Sequence, residues 1–326
     1  MTCLVLAGLP VWVAVASAGP STAVVQVIAP PENDFFAKVL FYQGIPIKAP
    51  KEVADEALYA AQSRLSMMLS NLPSVCANLK MSGAELHIIG RDQVTSDLPE
   101  WRFQKGKPLP EYNGLTIDQR TRGMGGRISS CGEENLLKLQ KDRYFGRDIC
   151  VHEFSHCIYQ FGIPRDLRNR FRRQYKASLA KGLWDKAYAA SNDDEFFAEL
   201  AMWYFGTHGD LHMTGPKPAS GPDGLKTYDP DAFALFDEFF SGRMKISPTT
   251  RADPREFEDE PASAYKATAA NAIDLNKRGP AINPRMYGIF LEEINHGVDG
   301  VLETAGDHFS YQFSPNSLTI IRVPIQ

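Results

Sequence analysis

The pentapeptide His152-Glu153-Phe154-Ser155-His156 has the residue types and the spacing of a metal-dependent hydrolytic site. On a helix, side chains four positions apart lie on the same face, so His152 and His156 can hold one metal ion from adjacent turns. Zinc is the expected ion, because two imidazole ligands beside a carboxylate that accepts a proton from water are a common catalytic zinc arrangement. The alternative is an amphipathic helix with two surface histidines.

A third ligand is expected in the acidic helix that follows, because catalytic zinc takes three protein ligands and one open position. Glu195 and Glu199 are four positions apart on one face of that helix, and most of its other residues are apolar: Phe196, Phe197, Leu200 and Trp203. Burying two carboxylates is costly unless a cation neutralises them. The pair is therefore predicted to lie beside the metal, and an ordinary acidic helix face is the alternative.

These residues together resemble a known family. His-Glu-x-x-His, then Tyr188, six intervening residues and Glu-Phe-Phe-Ala-Glu at 195–199 are similar to gluzincin-type zinc metallopeptidases, namely the anthrax lethal factor catalytic domain and the secreted Pro-Pro endopeptidases. The resemblance covers His152 to Phe205. It implies that Glu195 is the third zinc ligand, that Glu199 orients a ligand, and that Tyr188 donates a hydrogen bond to the oxyanion.

The implied activity is zinc-dependent endopeptidase, with Glu153 as the general base, one Zn²⁺ as cofactor and a polypeptide as substrate. The implied fold is α+β and zincin-like, with a small mixed sheet, a zinc-binding helix and a second helix that provides a glutamate ligand. Residues 112–135 are expected to set cleavage-site preference through an edge strand and its loops. Three arginines there, Arg120, Arg122 and Arg127, are predicted to form a solvated basic turn rather than a site for an acidic substrate.

Hydrophobic periodicity and turn residues predict the elements that must position the site. His87 lies in a predicted strand and is expected to be structural, and Ser191 is expected to cap the helix of Glu195. Ser130 to Glu133 is either a helix cap or the edge strand. The predicted helices are Val53–Leu72, Phe145–Phe161, Arg165–Tyr188, Ser191–Phe205 and Asp229–Phe240, and the predicted strand is 84–89.

The predicted domains are a signal peptide at 1–18, a metallopeptidase domain at 19–248, a polar linker at 249–271 and a C-terminal β fragment at 272–326. The first 18 residues have an apolar run and end in Ala-Ser-Ala, which is typical of an export signal, so the protein is expected to be secreted. The net charge of −4 gives no reason to expect nucleic acid as a partner. No membrane span is expected after the signal.

Four cysteines remain after the predicted signal: Cys76, Cys131, Cys150 and Cys157. Cys150 and Cys157 are seven positions apart on one predicted helix, too far apart to pair with each other. If two disulfides form, each of these two pairs with Cys76 or Cys131, in either order. Four buried thiols are the alternative.

Residues 272–300 resemble a different family, the N-terminal start of secreted α-L-arabinofuranosidases, in the run Met286 to His296. By that resemblance Glu292 falls on a sugar-contact position. A glycosidase barrel takes about 250 residues, so no arabinofuranosidase activity is expected from this chain. A truncated or mis-joined reading frame is the preferred interpretation. The alternatives to a peptidase are a glycosidase-related fragment with an accessory metal domain, and a non-hydrolytic binding protein of the same fold.

Overall fold

A six-stranded mixed sheet, in the order β1-β2-β3-β4-β6-β5, provides one layer of the fold. Strands β1 to β3 are antiparallel, β4 runs parallel to both β3 and β6, and β5 pairs antiparallel with β6. The strands are β1 Gln26–Glu32, β2 Phe36–Tyr42, β3 Ile45–Pro50, β4 Glu85–Ile89, β5 Gly123–Met124 and β6 Ile128–Gly132. The structure is a computed structural model that describes residues 24–144, 146–208, 217–248, 302–305 and 308–311.

Helices form the second layer, and their apolar faces share one core with the sheet. The predicted α+β class is confirmed. The helices are α1 Asp55–Leu69, α2 Pro73–Ser82, α3 Ile117–Arg120, α4 Glu133–Leu136, α5 Ile149–Cys157, α6 Arg165–Ala180, α7 Asp193–Tyr204, α8 Gly221–Tyr228 and α9 Pro230–Phe240. No helix among the described residues is long and apolar enough to cross a membrane.

The chain divides into two compact units, Met1–Asp259 and Glu260–Gln326. In the second unit, the described residues form two antiparallel strands, β7 Leu302–Ala305 and β8 His308–Tyr311. The predicted signal peptide, the predicted linker and the resemblance at 272–300, including Glu292, lie outside the described residues.

Strand β4 places alternate residues on opposite faces of the sheet. Leu86 and Ile88 belong to the main core, whereas His87 lies on the other face against the ring of Phe36, with centroids 4.2 Å apart. His87 Nδ1 is 2.7 Å from Glu100 Oε1 and its Nε2 is 2.9 Å from Glu85 Oε2. Burial lowers the pKa of His87, but the two carboxylates outweigh burial and raise it.

The disulfide prediction is wrong. Cys76, Cys131, Cys150 and Cys157 are all buried free thiols. The Cys131 thiol has the Cys150 side chain as its hydrogen-bond partner, which with burial raises the pKa of Cys131. Burial also raises the pKa of Cys76 to about 11 and that of Cys157 to about 12. The thiols therefore act as small apolar core residues.

The prediction that Arg122 belongs to a solvated basic turn is wrong. Its Nε and Nη2 atoms donate to the two carboxylate oxygens of Glu134 at 2.6 Å, and its side chain is 11% exposed. The sequence left residues 130–133 as either a helix cap or an edge strand. Ser130 lies in strand β6, which ends at Gly132. However, β6 is interior, and β5 is the edge strand on this side of the sheet.

Candidate metal centre

Helix α5 holds the two histidines of the His-Glu-x-x-His sequence. It begins at Ile149 after the N-cap Asp148, whose Oδ1 accepts the Val151 N–H at 3.1 Å. Its apolar residues are buried in the core, and both histidines are also buried, His152 with 6% and His156 with 7% of its surface exposed. The helix is shorter than predicted, because Ile158–Gly162 forms a π-helical turn.

Helix α7 brings Glu195 to the histidines. The N-cap is Asn192 and not the predicted Ser191, because the Asn192 side-chain oxygen accepts the Glu195 N–H at 2.8 Å. The acidic first turn suits the positive end of the helix dipole. Phe196, Phe197, Leu200 and Trp203 are buried, as their apolar character predicts, and fix α7 in the core.

Three side-chain atoms form a nearly equilateral triangle. His152 Nε2 is 3.3 Å from His156 Nε2, and Glu195 Oε2 is 3.3 Å from the first and 3.4 Å from the second. Zinc binds such atoms at about 2.0–2.2 Å in a tetrahedron, whose edges are then roughly 3.3–3.6 Å long. Glu195 Oε2 is buried and has no hydrogen-bond partner in the described structure, as expected of an atom that needs a cation. The three atoms therefore fit one face of a zinc tetrahedron.

Glu153 is the other carboxylate near the histidines. Ligand atoms of His152, Glu153 and His156 all lie within 4.8 Å of one another, so these three also form a possible metal-binding group. We favour Glu195 as the third ligand, because its contacts to both Nε2 atoms match the tetrahedral edge and because Glu153 then remains available as a base. Burial raises the pKa of Glu153.

The Nδ1 atom of His156 is fixed by a residue that the sequence did not reveal as functional. Asp194 Oδ1 lies 2.6 Å from His156 Nδ1, and the Gln160 side-chain amide donates to Asp194 Oδ2. A carboxylate on Nδ1 leaves Nε2 directed at the metal and makes the imidazole more basic. Asp194 adjoins Glu195 in the first turn of α7, and this adjacency is the signal that sequence reasoning missed.

His152 has a similar carboxylate on its Nδ1 side. Glu199 Oε1 lies 3.1 Å from His152 Nδ1, in an ion-pair contact whose angle does not satisfy a hydrogen bond. Glu199 is fully buried and accepts a hydrogen bond from the Arg147 guanidinium, which the sequence did not predict. Each histidine therefore has a carboxylate from α7 against its Nδ1 atom.

The centre attracts positive charge. Burial lowers the pKa of His152, but Glu195 and Glu199 outweigh burial and raise it to about 9. Burial also lowers the pKa of His156. Asp194 and Glu195 outweigh burial and hold the pKa of His156 well above its usual value. For Glu195, burial raises the pKa and the two imidazoles lower it more strongly. Protons on the histidines thus balance the carboxylates, and a divalent cation can replace those protons.

Tyr188 lies beside the three donor atoms. Its hydroxyl donates to Glu195 Oε1 at 3.0 Å, and its ring stacks near His152 with centroids 6.2 Å apart. Burial raises the pKa of Tyr188, and the Glu195 charge raises it further, so its hydroxyl keeps its proton and can donate. The predicted helix Arg165–Tyr188 ends at Ala180, and Tyr188 begins a short 3₁₀ turn.

A buried network anchors the loop that leads to Tyr188. Trp184 is fully buried, and its indole N–H donates to Asp229 Oδ2 at 2.9 Å. Asp229 Oδ2 also accepts the Ser178 hydroxyl at 2.6 Å, and Asp229 Oδ1 accepts the N–H of Ala232 as the N-cap of α9. The network ties the end of α6 and the Tyr188 loop to α9.

The edge strand β5 and the Gly125 that follows it pass close to helix α5, because Gly123 and Gly125 have no side chain that would clash there. A Cβ on Gly125 would lie 2.6–2.8 Å from His156 side-chain atoms, and a Cβ on Gly123 would lie 2.5 Å from Ile149 and 3.0 Å from Glu153. Both glycines and Met124 line an open cleft of about 780 Å³, and His152, His156 and Glu195 also line it. The cleft is thus bounded by backbone that can pair with an extended chain.

Comparisons with known proteins include a distant structural similarity. No protein-family model matches the chain, and the search of curated proteins found no match. A solved structure of the Pro-Pro endopeptidase from Paenibacillus alvei is similar with a TM-score of 0.42 and 17% sequence identity, covering 61% of this chain and 98% of that one. A similarity at this level does not bear on activity.

Proposed function

We propose that this chain is a zinc-dependent endopeptidase with His152, His156 and Glu195 as the metal ligands. The supporting observation is the triangle of their donor atoms, with sides of 3.3, 3.3 and 3.4 Å. A satisfied structural cluster would direct these atoms to separate partners, whereas here they converge on one point. The open cleft leaves a fourth position accessible, as a catalytic rather than a structural zinc site requires.

The chain's own residues have distinct roles in this proposal. When bound, zinc lowers the pKa of a water molecule toward about 7 and polarises the scissile carbonyl. Glu153 takes a proton from the attacking water and returns it to the leaving amine. The Tyr188 hydroxyl donates a hydrogen bond to the carbonyl oxygen as it becomes negative. Strand β5 holds an extended substrate through backbone hydrogen bonds.

Two variants test the ligand and base assignments separately. Glu195→Ala should lose zinc, which metal analysis of the purified protein measures. Glu153→Gln should keep zinc but no longer cleave unfolded protein substrates, and chelation should abolish cleavage by the wild-type protein. Glu56→Gln, an exposed carboxylate in the first turn of α1, is the matched control and should change neither property. Activity in zinc-loaded Glu153→Gln would contradict the assignment of the base.

Export is a separate proposal that rests on residues 1–18 alone. The apolar run and the Ala-Ser-Ala sequence support it. Expression of the full chain followed by N-terminal sequencing of secreted protein tests it, with Gly19 as the expected first residue. Full-length protein retained in the cells would contradict it.

A further inference from the structure

Two of the three cations that line the cleft have no carboxylate partner in the described part of the chain, in contrast to the third, Arg147. Arg120 is the last residue of α3, and Lys186 lies in the loop that leads to Tyr188. Both side chains are exposed and line the cleft that contains the donor atoms. Within the described part of the chain, neither side chain forms an ion pair or a hydrogen bond.

The third cation of the cleft shows the contrast. Arg147 is bound to the buried Glu199 and so belongs to the metal centre. The nearby Arg122 is likewise neutralised by Glu134. Arg147 and Arg122 thus each pair with a buried carboxylate. Arg120 and Lys186 have no such partner among the described residues. These two charges are therefore available to a ligand.

Arg120 also lies over an aromatic ring. Its guanidinium carbon lies 5.9 Å from the centroid of Tyr112, which is itself part of the cleft lining. Burial raises the pKa of Tyr112, and the nearby Arg120 charge opposes that rise. A stacked guanidinium loses less side-chain freedom on binding and presents a fork that matches a carboxylate.

We propose that the substrate is an acidic polypeptide segment, with an Asp or Glu side chain near the scissile bond that is bound by Arg120 and assisted by Lys186. The inference rests on the proposed peptidase function and adds a substrate class to it. Arg120 lies at the end of α3, and Lys186 lies in the loop before Tyr188. An acidic side chain between the two segments would be attracted by both charges.

The experiment starts with cleavage-site profiling by the zinc-loaded wild-type protein on a proteome-derived peptide library. Asp and Glu should be enriched at one fixed position relative to the cleaved bond. Matched peptides that differ as Asp/Asn or Glu/Gln at that position should then show kcat/KM ratios of about 3- to 10-fold at low salt, and smaller ratios at 0.5 M salt. Arg120→Gln should bring the ratio towards one, and Arg120→Glu should favour a Lys peptide.

Two controls separate this inference from the proposed function. Lys141→Gln removes an exposed cation that pairs with Asp92 and does not line the cleft, and it should keep the wild-type ratio. Fluorescence anisotropy of the same peptides on zinc-loaded Glu153→Gln measures their selectivity without turnover. Cleavage with no acidic enrichment, or a ratio unchanged by both Arg120 variants, overturns the inference and leaves the peptidase proposal standing. Selective binding without any cleavage by the wild-type protein supports an acidic ligand and overturns the peptidase.

Discussion

The substitution Asp194→Asn tests whether the carboxylate on His156 Nδ1 sets the affinity of the centre for zinc. The 2.6 Å contact joins Asp194 to the imidazole, and 29% of the Asp194 side chain is exposed. An outer partner of this kind is worth about 10- to 100-fold in metal affinity, or about 1.4–2.8 kcal/mol. Because water can reach part of Asp194 and replace some of the interaction, we expect a loss near tenfold.

Competition with a chelating dye of known zinc affinity measures this loss. Asp193→Asn is the matched control, because Asp193 occupies the same helical turn but binds Tyr159 and Arg172 instead of a histidine. Urea unfolding of the metal-free proteins shows whether each variant is folded. A folded Asp194→Asn protein with wild-type zinc affinity, or an equal loss in Asp193→Asn, would refute the positioning role.

Three further substitutions test the buried histidine of β4, the glycine beside His156 and the network that anchors the Tyr188 loop. His87→Gln should remove a pH dependence of stability measured by urea unfolding: the raised pKa of His87 makes its stabilisation, about 1–3 kcal/mol, complete below roughly pH 6.5 and lost as pH rises through the folded pKa. Equal pH slopes in both proteins would contradict this. Gly125→Ala should displace His156 and weaken zinc binding in the dye assay. Unchanged affinity would show that the backbone around Gly125 moves instead of His156. Asp229→Ala should lower the free energy of unfolding by about 3–5 kcal/mol, because it removes a cap and leaves buried donors without partners; a loss below 1 kcal/mol would contradict that role.

Local sequence patterns predicted the two helices that form the centre. The apolar residues of α5 and α7 recur with helical spacing, so the faces that contain His152, His156 and Glu195 followed from the 3.6-residue period. Helix α1 was predicted as Val53–Leu72 and spans Asp55–Leu69, since helix ends depend on caps more than on periodicity. Pro73 begins the next helix, α2, at a position where proline is favourable.

What the sequence did not predict depends on contacts between distant segments. Helix α8 contains Gly221, Pro222 and Gly224, which indicate a loop, and it forms because its few apolar residues reach the core. The burial of Arg122 depends on Glu134, twelve positions away across β6. The role of Asp194 depends on the rotation of α7 about its axis. Asp193, Asp194 and Glu195 are consecutive acidic residues, and only that rotation determines which of them faces His156. Such relations follow from tertiary packing, which overrides local propensity.

The three carboxylates in ion-pair contact with the two histidines lie on one helix, and this placement has a mechanical consequence. Asp194, Glu195 and Glu199 all belong to α7, and both histidines belong to α5. A bound ion would therefore act as a crosslink between these two helices, and its free energy of binding would add to the resistance of the fold to unfolding. At a free zinc concentration 100 times the dissociation constant, this linkage is worth about 2.7 kcal/mol. Loss of the ion would remove its contacts to both histidines together, so occupancy of the site and rigidity of the α5–α7 pair would be coupled.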